Sequence, residues 1–463
     1  HNNCQDRTLM MKSVWAKHAL TSAGWQSDVR ITFDCGVIQT VEAGVGPTGE
    51  RVGVLLPAPA NIHSHAFQRA MAGMTERRGA DPTDNFWSWR KLMYRFLDQL
   101  MPDHIEAIAA FVQMEMLEAG YGASVEFHYL HHQADGTPYD NLAELSERIA
   151  AASKISGMGL TLLPVLYEQG GCDGRTLTQG QIRFGNDFDR FTKLVEGASA
   201  GLKSLPKDSQ IGVAPHSLRA VSRESLAMAA TLHPSGPLHI HLAEQVGEVD
   251  EVVEVYGARP VEWLFDTHDV DARWCFIHAT QMQSHETIMM AKSGAVAGLC
   301  PVTEANLGDG IFDGLRYLNN GGRFGIGSDS NVRISLSEEL RALEYSQRLK
   351  HLGRAVLATE TKSSGRVLFE GAASGGAVAS GRNSGALKPG YFADMMALDG
   401  SHIDLMGKSG DMFLDSYIFA GDDSMVSDVW SAGRHMVSEG RHKNRDQILA
   451  RYRTVMSSLT QGL

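Results

Sequence analysis

Cysteine is scarce and scattered. The five residues Cys4, Cys35, Cys172, Cys275 and Cys300 form no CxxC pair in a chain of 463. That excludes a disulfide framework and a thiolate zinc site as organising devices, and makes a reducing cytoplasm the expected setting. Long apolar runs are missing too. Nothing approaches the roughly 20 residues that span a bilayer, so no membrane partner is expected. There is no long block of Lys and Arg: 42 basic residues stand against 54 acidic ones, a formal net charge of −12. Nucleic acid is a poor partner for such a chain, and an anionic substrate would need a few placed cations. The polar opening HNNCQDRTL, with no apolar stretch behind it, does not read as a signal peptide. The residues ahead of Met11 are taken as an extension and left out of the fold reasoning. What remains is ordinary globular composition, 43% apolar and 21% charged.

Within it a rhythm runs through the middle of the chain. Short apolar runs recur at Val54–Ile62, Ala123–Tyr129, Gly159–Tyr167, Ile211–His216, Leu238–Glu244, Trp274–Thr280, Ala295–Val302 and Phe324–Asp329. Unbroken apolar runs of this length suit strands buried on both faces of a parallel sheet. The stretches between them, such as Ile105–Ala119 and Asn141–Ile155, carry helical spacing. Eight β-then-α units predict a (β/α)8 TIM-like barrel over residues 56–384, with an open doubly wound sheet as the competing arrangement. The β-like segments at 11–55 and 385–463, including Val29–Phe33, Tyr391–Leu398 and Met425–Trp430, predict a small β-sandwich domain built from both chain ends. One connection, Ala66 to Met101, is long and rich in aromatics and arginines, as active-site lids often are.

Polar residues gather where the predicted strands end, the face on which barrel active sites lie. The first run ends Asn61-Ile-His63-Ser-His65, and residues two apart on a strand share a face. The fifth reads His239-Ile-His241-Leu-Ala-Glu244, the sixth ends at His278, and the eighth ends Gly327-Ser-Asp329. Among 19 histidines a single HxH means little. Their joint placement at the ends of strands one, five, six and eight points to one divalent metal ion held by His63, His65, His241 and Asp329. Three imidazoles and a carboxylate suit zinc first, with iron(II) and manganese compatible. Such an ion lowers the pKa of bound water from 15.7 to roughly 7. Glu244, His278 and Asp329 are then the catalytic candidates: Glu244 to carry the water's proton to a leaving nitrogen, His278 to orient the water or stabilise charge, and Asp329 to accept its hydrogen bond.

These motifs resemble the amidohydrolase superfamily, and Gly385-Ala-Leu-Lys-Pro-Gly-Tyr-Phe-Ala-Asp394 is similar to its closing motif. The fourth run, Val213-Ala-Pro-His-Ser217, lacks the lysine of binuclear members, which matches the mononuclear deaminase branch. Asn61–Gly73, Phe86-Trp-Ser-Trp-Arg90, Glu126-Phe-His-Tyr-Leu-His-His132, Ala214–Val221, His239–Gln245 and Thr303–Phe312 resemble more narrowly the formimidoylglutamate deiminase family of bacterial histidine degradation. That resemblance implies hydrolysis of N-formimidoyl-L-glutamate to N-formyl-L-glutamate and ammonia, in a homodimer. The small dicarboxylate amidine would need cationic anchors. Arg90 and Arg219 offer bidentate forks, and Gln68, Tyr129 and His216 further donors. The family pattern has a histidine where Asn331 stands. Glu304, Asn306 and Asp309 either hold the strand-seven loop or touch substrate. Competing readings are a deaminase of guanine- or cytosine-like rings, imidazolonepropionate hydrolysis, or a non-enzymic barrel binding protein, the last disfavoured by the complete set of ligands and proton carrier.

Overall fold

The structure, a computed structural model, describes residues 11–78 and 83–460. The segment ahead of Met11, read above as an extension, lies outside the described residues, as do positions 79–82 of the long insertion. Eight parallel barrel strands follow one another: Ala60–Ser64, Ala123–His128, Gly159–Leu166, a broken fourth strand of Gln210–Ile211 and Ala214–Pro215, Leu238–Leu242, Trp274–His278, Val296–Leu299 and Arg323–Ile326. Neighbours in sequence are neighbours in space. The eighth strand pairs with the first at Ile326–Asn61. The fourth meets the fifth through a Val213–Leu238 bridge and the bond from His241 N to His216 O at 3.1 Å. The ring is therefore closed, which decides against an open sheet. The break in the fourth strand falls at Gly212, where a Cβ would lie 2.4 Å from Pro237 O.

The first apolar run divides. Glu50–Pro57 joins a separate sheet, and only Ala60–Ser64 enters the barrel. Pro57 and Pro59 explain the division, because a residue without an N–H cannot continue a ladder. Both halves are apolar since each is buried in its own sheet.

That second sheet has eight strands from both chain ends. It brings Lys12–Thr21, Gly24–Asp34, Val37–Glu42 and Glu50–Pro57 beside Met395–Leu398, Val426–Ser431, Arg434–Ser438 and Arg441–His442. Every pairing is antiparallel except that of Lys12–Thr21 with Glu50–Pro57. The edge strand Val37–Glu42 returns to the segment just before Met395, with Ile38 N donating to Tyr391 O at 2.8 Å. The sheet thus folds over its own core, including Val14, Ile31, Phe33, Met395 and Trp430.

A buried charge cluster clasps this unit to the barrel. Arg382 forks onto Asp394 through Nε and Nη2 at 3.0 Å each, and its Nη2 also reaches Asp208 at 3.1 Å. Arg434 grips both oxygens of Asp208 at 2.8 Å. Burial works against charge on Asp208, but the two guanidiniums outweigh it and its pKa falls below the ordinary range. Asp394, the last residue of the turn-rich closing motif, also accepts Ala432 N at 2.7 Å. Removing one partner of a buried pair leaves the others uncompensated. Arg382→Met is expected to lose about 3–5 kcal/mol of folding stability, read as a lower guanidinium midpoint. An unchanged midpoint would show that the clasp contributes nothing net.

Candidate metal centre and its pocket

The ends of strands one, five, six and eight place their side chains in one buried cluster. His63 and His65 each set Nε2 3.2 Å from Asp329 Oδ1. His241 Nε2 lies 3.1 Å from His63 Nε2. His278 Nε2 lies 3.7 Å from Asp329 Oδ2 and 3.6 Å from Glu244 Oε1. Donor atoms of His63, His241, His278 and Asp329 all fall within 4.8 Å of one another. His239, the other histidine of its run, turns away and bonds Ala379 O at 2.7 Å.

The local fold holds these positions against strain. Ala243, His278 and Asp329 have φ of 52°, 75° and 48°. The left-handed region costs a non-glycine residue about 1–3 kcal/mol and recurs at functional sites. Backbone bonds on both sides enforce it. Asp329 N donates to His63 O at 2.8 Å, His65 N to Asp329 O at 3.0 Å, and Gln281 N to Ala243 O at 2.8 Å. Asn331, the position at which the resemblance led to a histidine being expected, is fully buried. Its Nδ2 donates to Ser64 Oγ at 3.0 Å and His65 O at 3.2 Å, and its Oδ1 accepts Ser328 Oγ at 2.5 Å. The asparagine thus ties the strand-eight loop to the backbone of the HxH segment.

The donor set fits a divalent ion. Burial drives the His63 pKa down to about 3 and that of His241 well below the usual value, so both are the neutral imidazoles that ligate metals. Burial opposes charge on Asp329, but the neighbouring His63 and His65 rings prevail and hold its pKa well below the ordinary carboxylate range. His65 Nδ1 points at Phe127 O at 3.0 Å and His241 Nδ1 at His216 O at 3.1 Å. These carbonyls take the Nδ1 protons and leave Nε2 lone pairs facing inward, the usual outer-shell device. Separations of 3.1–3.2 Å between inward donors approach the about 3.4 Å edge of a tetrahedron with about 2.1 Å bonds.

Carboxylates line the other side. Glu304 accepts from His278 Nδ1 at 3.2 Å and from Cys300 N at 2.9 Å. Burial opposes a proton charge on His278, but Glu244, Glu304 and Asp329 outweigh it and hold its pKa well above the usual value. Glu248 accepts the amides of Glu244 at 2.7 Å and Ala243 at 3.3 Å, steadying the turn that carries Glu244. Asn306 donates to Glu76 Oε1 at 2.9 Å and so holds the insertion loop.

Above the cluster opens a pocket walled by Gln68, Arg90, Tyr129, His216 and Arg219 besides the histidines. The insertion supplies one wall through the helix Phe86–Leu97, started by an Asn85 cap that accepts Trp87 N. Both guanidiniums lie over the Trp87 ring, at 5.0 Å for Arg90 and 5.2 Å for Arg219. Arg219 is 5% exposed and its Nε has no hydrogen-bond partner. Gln68 Nε2 donates to Tyr129 OH at 2.9 Å while its Oε1 is unpartnered.

All eleven sequence-predicted site residues thus surround one centre. Sequence reasoning assigned nothing to Glu248, Tyr94, Tyr167 or Phe184. For Glu248 a signal existed, an acid in the first turn of the helix Val246–Tyr256, where a carboxylate meets free amides. The aromatics carried no signal separable from core packing.

Residues 54–436 match the model of the amidohydrolase family, and residues 11–51 match that of the formimidoylglutamate deiminase HutF N-terminal domain. A formimidoylglutamate deiminase of Pseudomonas aeruginosa is 45% identical over 97% of this chain and 100% of its own. The crystal structure of an amidohydrolase from Brucella melitensis superposes with a TM-score of 0.93 at 49% identity, covering 97% of this chain and 100% of that one. An adenosine deaminase from Xanthomonas campestris with bound zinc shares the fold alone, with a TM-score of 0.81 at 19% identity over 97% and 98% of the two chains. Outer-shell partners of metal ligands are worth about 10–100-fold in affinity. Asn331→Ala is therefore expected to weaken zinc binding by about that factor in competition with a chromophoric chelator. Wild-type affinity in this variant would leave Asn331 with no part in the centre.

Proposed function

The chain belongs to the amidohydrolase family and, within it, to the formimidoylglutamate deiminases, and from that membership we propose how its residues hydrolyse N-formimidoyl-L-glutamate to N-formyl-L-glutamate and ammonia in histidine degradation. His63, His65, His241 and Asp329 would hold one divalent ion, which we take to be zinc. The chemistry the ion supplies when bound is acidification of water and polarisation of the attacked group.

The chain's own side chains do the rest. Asp329 accepts a hydrogen bond from the attacking water and aims it. Glu244, with Oε1 on the same side as His278 Nε2, takes the water's proton and passes it to the nitrogen that leaves as ammonia. His278, kept protonated by its carboxylate neighbours, offers a charged donor to the electron density that shifts off the attacked carbon as its C=N bond opens.

The observation that carries the substrate assignment is Arg219. A buried guanidinium with an unpartnered Nε, forming no salt bridge among the described residues, sits in the wall of the cavity that ends at the histidine cluster. Buried cations are ordinarily paired. A substrate carboxylate is the natural partner, and Arg90 on the inserted helix is placed for the second. Gln68, Tyr129 and His216 add polar contacts between the two ends. A planar nucleobase has no carboxylate to offer either arginine.

Two variants separate the roles. Glu244→Gln should keep its full complement of metal and lose nearly all turnover; substantial residual kcat would remove Glu244 as the proton carrier. A charge-assisted hydrogen bond is worth about 1.5–3 kcal/mol, so Arg219→Ala should raise KM by about 10–100-fold with a smaller effect on kcat. An unchanged KM would make Arg219 a structural residue.

A further inference from the structure

Asp309 stands next to the proton carrier without a role in the reading above. It belongs to the loop after the short helix Pro301–Leu307. Two glycines shape the turn around it. Gly308 has φ of 70°, and Gly310 has φ of 131° with space that a Cβ would share with Gln281 Nε2 at 2.9 Å. Asp309 N donates to Glu304 O at 2.9 Å, Asp309 O accepts Gln281 Nε2 at 2.5 Å, and Asp309 Oδ1 accepts Gln245 Nε2. The carboxyl is thereby pinned on one side. Its Oδ2 is buried with no partner from a conventional donor. Yet carboxyl oxygens of Asp309 and Glu244 and a ring nitrogen of His278 lie within 4.8 Å of one another, and the Glu244 carboxylate is among the groups that raise the Asp309 pKa.

Two carboxylates cannot face each other in a buried site with both ionised. We propose that Asp309 is a positioning residue, a carboxylic acid that donates its proton in a hydrogen bond to Glu244 and so leaves Glu244 one committed oxygen and one free for the attacking water. This rests on the reading of Glu244 as proton carrier. The groups facing the pair are His278 and Glu304 beside Asp309, and His278, Arg219 and Glu248 around Glu244. Burial first, then the Glu244 carboxylate, raise the Asp309 pKa to about 10, with His278 opposing. That leaves the proton on Asp309 at neutral pH and makes the acid limb of kcat/KM belong to Glu244. No proton is transferred by Asp309 in the cycle: its O–H stays, and what changes is the orientation and basicity of its neighbour.

The sign of one shift decides. A neutral donor stabilises the carboxylate it faces, so deleting the donor moves the acid limb upward. If Asp309 were instead an anion, deleting it would move the limb downward. In metal-replete enzyme, Asp309→Ala should move the acid limb of kcat/KM upward by about one pH unit and lower kcat about tenfold, while Asp309→Asn, which keeps a neutral N–H donor, should leave the limb near its wild-type position. The infrared difference between wild type and Asp309→Asn at pH 7 should contain a protonated-carboxyl band. Should alanine prevent folding, the asparagine profile and the infrared difference decide together. A downward shift in either variant, a limb that stays in place in Asp309→Ala, or a difference spectrum holding carboxylate bands alone would overturn the proposal. The infrared result does not depend on turnover, so it can fail while Glu244→Gln still behaves as a lost proton carrier.

Discussion

Everything at the barrel mouth depends on lone pairs brought together in one buried cluster. Nε2 of His63 and His241 face each other at 3.1 Å, and Nε2 of His63 and His65 crowd one oxygen of Asp329 at 3.2 Å. Neutral imidazole nitrogens in such contact repel unless a proton or a cation lies between them. Burial makes the proton costly, since it drives the His63 pKa to about 3. A divalent ion removes the conflict, and the fold meets the cost of preparing for it. Five non-glycine residues around it, Ala243, His278, Ala279, Asp329 and Asn331, are held in left-handed backbone, and two carbonyls fix which ring nitrogen is free.

The same logic sorts the charges around the centre. The chain is acidic overall, and the centre itself gathers Glu244, Glu304, Asp309 and Asp329 about His278. That concentration is tolerable because each acid has a different environment: Asp329 is stabilised by two imidazoles, Glu304 by His278 Nδ1 and a backbone amide, and Asp309 by retaining its proton. Arg219 and Arg90 are, among the described residues, the only guanidiniums in the pocket lining, and both lie over the Trp87 indole. A dicarboxylate with an amidine head is complementary to this polarity along its length.

Much of this could be read from the chain, and the exceptions have causes. The HxH of strand one was legible because a two-residue period at a strand end leaves little freedom, and the same holds for His241, His278 and Asp329. The strands themselves were legible because burial on both faces demands unbroken apolar runs. Where one run served two sheets, at Val54–Ile62, composition could not show the division and only the two prolines did. The fourth strand was recognised but not its break at Gly212, which follows from the approach of Pro237 in three dimensions. Asp309, named without a settled role, and Glu248, whose place in a first helical turn was the one signal, were missed for a different reason. An acid near a turn is unremarkable in sequence, and its meaning comes from which carboxyl or amide another segment brings against it. The clasp of Arg382 with Asp208 and Asp394 was hidden in the same way, although Asp394 closed a motif that was noticed.

The central claim is that a metal centre and two unpaired arginines in one cavity make a hydrolase of a linear dicarboxylate amidine. Ammonia release from N-formimidoyl-L-glutamate tests it most directly, measured with metal-replete protein beside a chelated sample and a guanine control. Release from the first compound alone, abolished by chelation and restored by zinc, is the expected result. Undiminished release after the metal is shown to be gone, or none from N-formimidoyl-L-glutamate with the metal shown to be bound, would contradict it.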